Sequence, residues 1–285
     1  MNNDSIFAVI VTYNPEVANL EKLVGSLKES NVKSVIVDNG SFSRFSLPCE
    51  TLWMEDNLGI AKAQNEGIKY CTIHNAEYII FFDQDSTIPD SNFINQLTQP
   101  LINGDANITA PIFVDKDRGF TYPIVEIFDN GCRKKHFPLE TQSPFWVNNV
   151  ISSGTTVTTK VMEQVGGMNE DFFIDYVDTE WCLRAYNLGH KILVVPQAKM
   201  FHSIGDKSLK LWKFYVPKHS AFRRYYRLRN SFFLFRLSHV PKIMALREIV
   251  FSIVHQSILI AASPNERKGY VKSLIRGVKD GIKRR

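Results

Sequence analysis

Four apolar runs mark the first 85 residues, and each gives way to a polar cluster. Ile6 to Thr12 is continuous and β-branched, the pattern of a strand buried on both faces, and Tyr13-Asn14-Pro15 ends it. Val17, Leu20, Leu23, Val24 and Leu27 then recur at helical spacing. Val35-Ile36-Val37 supplies a second strand, closing in Asp38-Asn39-Gly40-Ser41. A third, Thr51 to Met54, leads through Asn57-Leu58-Gly59 into an alanine-rich helix from Ile60 to Tyr70, and the fourth, Tyr78 to Phe82, runs into Asp83-Gln84-Asp85. This alternation predicts an α/β fold with a mostly parallel, Rossmann-like sheet sandwiched by helices. It places Thr12, Asp38 and Asp83 on one rim, the carboxyl edge where open α/β sheets bind ligands.

Two carboxylates at the exit of a buried strand are hard oxygen donors suited to Mg²⁺ or Mn²⁺. Such an ion, held by few protein ligands, is completed by substrate phosphates, so Asp83 and Asp85 point to a nucleotide diphosphate. Read alone, they fit a solvated turn equally well. After the first strand there is neither G-x-G-x-x-G nor a Walker A loop, which argues against NAD enzymes and P-loop NTPases.

Composition adds compartment and partition. With 44% hydrophobic and 22% charged residues, the 285-residue chain reads as globular. Cys49, Cys71, Cys132 and Cys182 are scattered without a C-x-x-C pair, which fits a reducing cytoplasm. The polar, acidic start lacks the order of a secretory signal. The apolar stretch Ile249 to Ala262 is shorter than the ~20 residues of a spanning helix, so none is expected. Charge is divided: residues 206–285 hold nine Lys and ten Arg against four acids, +15, leaving −10 on residues 1–205.

Val9-Ile10-Val11-Thr12-Tyr13-Asn14, Val37-Asp38-Asn39-Gly40-Ser41, Asn57-x-Gly59-x-x-x-Ala63-x-Asn65-x-Gly67 and Asp83-Gln84-Asp85 resemble, in order and spacing, the family 2 inverting glycosyltransferases of GT-A fold. The resemblance continues through Gly166 to Phe173 and Asp178 to Ala185, and ends near His202-Ser203-Ile204-Gly205-Asp206. The wording around Phe173 to Asp178 and at His202 is most similar to bacterial dTDP-rhamnosyltransferases of O-antigen and related polysaccharide assembly. It implies a GT-A catalytic domain over 1–206, with a nucleotide-sugar half to about 110 and an acceptor half over 111–206, followed by a basic helical region, 207–285.

The resemblance also assigns roles. Asp85 and Asp83 would hold Mn²⁺ or Mg²⁺, with His202 completing the shell; otherwise His202 is a partly buried strand-end histidine. Thr12, Tyr13, Asn14, Asp38, Asn57, Gly59, Asn65, Asp83 and Gln84 would bind the nucleotide sugar, Asp38 accepting the N3–H shared by uracil and thymine. Asp38 also reads as a turn former and Asn57 as a helix cap. Asp178 matches the general base, although Val177 replaces the usual acid before it, which makes Glu180 and Asp175 rivals. If a helix runs from Asp178 to Asn187, Asp178 also suits its N-cap, and Glu180 sits in the first turn, four residues before Arg184, as an ordinary ion pair. Trp146, Ser153, Gly154, Asp175, Glu180 and Trp181 are candidates for the acceptor side.

In the tail, Arg223, Arg224, Arg227, Arg229 and Arg236 interleave with Phe222, Tyr225, Tyr226, Phe232, Phe233 and Phe235. Such a helix suits an anionic membrane interface or packing on the catalytic domain or a second subunit. No nucleic-acid reading motif accompanies the charge. The reading is a cytoplasmic, metal-dependent inverting transferase, either peripheral at the inner membrane face or with its basic helices packed on the catalytic domain or a second subunit. It would move L-rhamnose from dTDP-L-rhamnose to a glycan acceptor on a lipid diphosphate carrier. The alternatives are another donor, UDP-galactofuranose or a UDP-hexose, and a catalytically silent nucleotide-sugar-binding subunit.

Overall fold

The computed structural model describes residues 5–115, 119–202, 208–211 and 214–283, by backbone alone at 202, 208–211 and 214–217. β1 (Ile6–Thr12) lies between β2 (Lys33–Asp38) and β4 (Tyr78–Asp83), and β3 (Glu50–Trp53) edges the sheet; all four are parallel. Beyond β4 come β9 (Thr156–Thr158), β5 (Ile108–Asp115), β10 (Ile192–His202) and β8 (Phe145–Val147), giving the order β3-β2-β1-β4-β9-β5-β10-β8. β5 and β10 are parallel, whereas β9 and β8 run against their neighbours. Register sets Thr12 opposite Asp38 and Val11 opposite Asp83, so the predicted rim forms.

Period-two alternation divides β1 between two layers. Phe7 and Val9 pack with Ala61, Ala63 and Cys71 of α2 (Ile60–Ile73), while Ile6, Ala8 and Ile10 meet Leu20, Leu23 and Leu27 of α1 (Val17–Glu29) and Phe93 and Leu97 of α3 (Phe93–Ile102). Each of the Val, Leu, Ile and Phe side chains among them contributes about 1.5–3 kcal/mol on burial. A hairpin, β6 (Ile124–Ile127) with β7 (Arg133–His136), projects from the far half. α4 (Thr159–Val165) is capped by the Thr158 hydroxyl, and α5 (Val177–Asn187) follows a short loop.

After a two-stranded ribbon of β11 (Ser208–Leu211) and β12 (Phe214–Pro217), three helices close the molecule: α6 (Ala221–Arg236), α7 (Lys242–Ala262) and α8 (Arg267–Ile282). One expectation changes here, and one open alternative is decided. α7 begins seven residues before Ile249 and has 21 residues, so by length and composition alone it is long enough to cross a membrane. Lys242, Arg247 and Glu248 break the apolar run at its start, which concealed its extent. Two of the five α6 arginines turn inward: Arg224 is fully buried, and Arg229 and its neighbour Asn230 bond carbonyl oxygens of the loop before α5. That helix is a packing element of the catalytic body.

Candidate active site

The rim is built from turns that bond one another. Asp38, with no exposed surface, accepts from Thr12 Oγ1 at 2.8 Å, Ser41 N at 2.8 Å and Ser41 Oγ at 2.6 Å. Its carboxylate is therefore enclosed by its own turn, and exposed Tyr13 and half-buried Ser41 are what the rim presents. Asn14, at φ 48°, accepts from Phe42 N and donates its own N–H to Ser41 Oγ. Gln84 Oε1 accepts from Tyr13 N at 2.7 Å, tying the Asp-Gln-Asp turn to the end of β1. Asn57 does not cap α2. Its Oδ1 accepts from Gly59 N and Asn39 Nδ2, and the α2 N-cap position is Gly59 itself, at φ 94°. A Cβ there would lie 2.7 Å from the Phe173 backbone, so only glycine lets the two loops meet.

Asp83 and Asp178 face one pocket of about 530 Å³, together with Ser152, Asp175, Arg223 and Glu248. Burial, then Asp85, then Asp178 raise the Asp83 carboxyl to about 7, against the pull of Arg223. Burial also holds Asp178 above the usual carboxylate range; the Thr179 N–H opposes this and Asp175 adds to it. Three carboxylates crowded at one rim, with one exposed, are the environment that a divalent cation relieves. Asp83 and Asp85 thus fit a metal in donor type, although no cluster of three such ligands occurs among the described residues. The His202 imidazole and residues 203–206 lie outside them; the His202 backbone ends β10 opposite Asp115.

The loop before α5 is strained and held. Phe173, Asp175 and Tyr176 take φ of 60°, 65° and 66°, conformations costing about 1–3 kcal/mol each unless over-determined by their surroundings. Asn230 Nδ2 donates to the carbonyls of Phe172 (2.6 Å), Ile174 (2.7 Å) and Asp175 (3.1 Å). Arg223 and Arg227 pair with the buried Asp175 carboxylate at 3.3 and 3.5 Å, and Tyr176 Oη donates to Glu248 at 2.9 Å. Asp178 is not the N-cap of α5: Tyr176 occupies that position and Asp178 the second helical one, with its Oδ1 accepting from Thr179 N.

Several acceptor candidates belong elsewhere. Glu180 is buried and pairs with Arg184 at 3.0 Å and His239 at 2.9 Å, as the helical spacing implied for Arg184. Trp181 is buried and donates to Gly166 O. Trp146, half exposed on β8, lines a different hollow with Asp105 and His190. Ser153 sits behind Asp83, bonded to Ser86 Oγ at 2.9 Å. Gly154, at φ 70°, packs against Pro111 and Met200. Asn65 is committed to Met168 and to Glu170 at 2.8 Å, so it anchors a loop rather than a ligand. Of that group only Asp175 reaches the pocket.

The family model "Glycosyl transferase family 2" matches residues 7–160, the span that carries the rim and the Asp-Gln-Asp turn. The chain belongs to glycosyl transferase family 2. This family 2 chain is 47% identical to the dTDP-rhamnosyl transferase RfbF of Shigella flexneri over 99% of its length and 96% of the relative's. Its fold is shared with S. aureus TarS residues 1–349 in complex with UDP, at TM-score 0.59 and 15% identity, covering 96% of this chain and 80% of that one. It is also shared with the mannosyltransferase PcManGT of Pyrobaculum calidifontis in complex with GDP-Man and Mn²⁺, at TM-score 0.56 and 13% identity, covering 96% and 84%. The family 2 fold thus explains the sheet, but Arg223, Arg227, Asn230 and Glu248 come from helices after the matched span. Their signal in the sequence was the spacing 223, 227 and 230, one face of a helix; what that face meets was not readable.

Proposed function

We propose that this glycosyltransferase is metal-dependent and inverting, and transfers L-rhamnose from dTDP-L-rhamnose to a growing lipid-linked polysaccharide. The observation that carries the sugar is the near full-length identity to RfbF; the chemistry rests on Asp83 and Asp178 sharing one pocket. Thr12, Tyr13, Asn14 and Ser41 form the rim against which the nucleotide binds, shaped from behind by Asp38. Asp83 and Asp85 would hold the Mn²⁺ or Mg²⁺, which when bound offsets charge on the departing diphosphate.

Asp178 takes the proton of the acceptor hydroxyl as its oxygen bonds to the anomeric carbon. The bond from that carbon to the diphosphate oxygen breaks on the opposite face, its electron pair leaving with dTDP. A β-linked donor thereby becomes an α-linked product without a covalent intermediate. Val177 is buried at the first turn of α5, so Asp178 acts without an acidic neighbour before it, and Asp175 is neutralised by Arg223 and Arg227 rather than competing as a base.

Calorimetric binding of dTDP, UDP, dTDP-rhamnose and UDP-galactose in Mn²⁺, Mg²⁺ and EDTA tests the reading. Metal-dependent preference for dTDP-rhamnose supports it. Preference for a UDP-sugar replaces the donor, and binding that ignores metal removes the Asp83/Asp85 site.

A further inference from the structure

α7 has two unlike faces. Met244, Ala245, Glu248, Ser252, Gln256 and Leu259 are buried, and of these Met244 and Glu248 line the active-site pocket. The opposite face carries Ile243, Leu246, Val250, Phe251, Val254 and Ile258, between 37% and 63% exposed. Six large apolar side chains on one helical stripe exceed the scatter of single exposed residues normal on a soluble surface.

Charge on the adjoining helix favours one occupant. α8 packs against α7 through Gln256 Nε2, which donates to Tyr270 O at 2.8 Å and Ser273 Oγ at 2.5 Å. On its own surface α8 exposes Val271 and Ile275 among Lys268, Lys272 and Arg276. Acids offset these cations only in part: Glu248 is buried with Tyr176 and Arg133, Glu266 pairs with Lys218, and Asp280, which accepts from Tyr225, is the single acid on α8 against Arg267, Lys268, Lys272, Arg276 and Lys279. A second copy laid on this surface would bring the same cations together, whereas an anionic lipid surface satisfies both the apolar stripe and the charge.

We infer that the outer face of α7, with the basic surface of α8, docks the enzyme on the surface of an anionic bilayer. The helix lies in the interface and does not span, because spanning would turn Glu248, Ser252 and Gln256 into hydrocarbon. Since the inner face of the same helix lines the pocket, docking holds the catalytic opening close to lipid-borne acceptors. This purpose rests on the proposed lipid-linked acceptor, but the docking itself does not, and vesicle binding is read without turnover.

Sedimentation of the full chain with phosphatidylglycerol–phosphatidylethanolamine vesicles, and with phosphatidylcholine vesicles, tests it. At least about tenfold stronger partition to the anionic vesicles is expected, weakening with salt. Val250→Asp with Val254→Asp should abolish partition while thermal melting and dTDP-sugar binding are retained. Lys268→Glu with Lys272→Glu and Arg276→Glu, which leaves the stripe intact, should remove the anionic preference. A Phe251→Trp emission shifted to the blue by anionic vesicles would support burial of that residue in lipid. Equal or absent partition to both vesicles overturns the inference, as does a dimer in sedimentation velocity that Val250→Asp with Val254→Asp disperses.

Discussion

Asn230 on α6 donates a 2.6 Å hydrogen bond to the carbonyl oxygen of Phe172, 58 residues earlier in the chain. From there the same amide reaches Ile174 and Asp175, so one side chain from the basic C-terminal region fixes the strained loop that aims Asp178. The C-terminal helices are therefore part of the catalytic body.

Asn230→Ala should leave the Ile174 and Asp175 carbonyls without that partner, while Phe172 O keeps the Arg229 and Ile174 N–H donors. Each buried unsatisfied acceptor costs about 1–3 kcal/mol. The expected result is a lower melting temperature and a transfer rate reduced at least about tenfold, with dTDP binding near wild type because the rim lies on other elements. Calorimetry and steady-state kinetics on one preparation separate the two effects.

Asp178→Asn keeps the shape and the bond from Thr179 N but removes the base. Transfer should fall by about 10²- to 10⁴-fold, the range for losing a positioned proton acceptor, and donor affinity should persist. Donor affinity lost in parallel with turnover would instead make Asp178 a binding residue.

The pH profile follows from the same group. Burial places the Asp178 carboxyl above its ordinary value, and the base works only when deprotonated. The acid limb of kcat/KM should therefore fall at higher pH than for a solvated aspartate, and Asp178→Asn should lack that limb.

Asp85→Ala, or EDTA added to the wild type, should abolish transfer. Excess Mn²⁺ should restore the EDTA-treated enzyme but not the variant. Restoration of both would show that Asp83 and other groups suffice for the ion.

Glu180→Ala tests a residue that the sequence left as a rival base. Its loss leaves Arg184 and His239 without their carboxylate, so stability should drop by about 2 kcal/mol. Once folded, the enzyme should still turn over within a few-fold of wild type. A loss equal to that of Asp178→Asn would reverse the assignment.

Much of the nucleotide half was legible because its information is local. A buried parallel strand must be a continuous apolar run, its polar exits fall at one edge, and period-two alternation assigns Val9 and Ile10 to opposite layers. The pairing of Glu180 with Arg184 was readable for the same reason, since it needs only helical spacing. The sequence alone therefore determined the first four of the eight strands, their rim and the Asp83/Asp85 pair at it, and its resemblance to the family marked Asp178 as a candidate base.

Long-range packing decided the rest. Whether Asn65 meets a ligand or Met168, whether Asp38 is open or enclosed by Ser41, and whether Arg223 faces solvent or Asp175 depend on which surfaces touch across tens of residues, and no local periodicity records that. The tertiary structure buried Arg224 and Arg229 of α6, turned the apolar stripe of α7 outward and brought Arg223, Arg227 and Glu248 to the pocket, because a helix face acquires a role only from what packs against it.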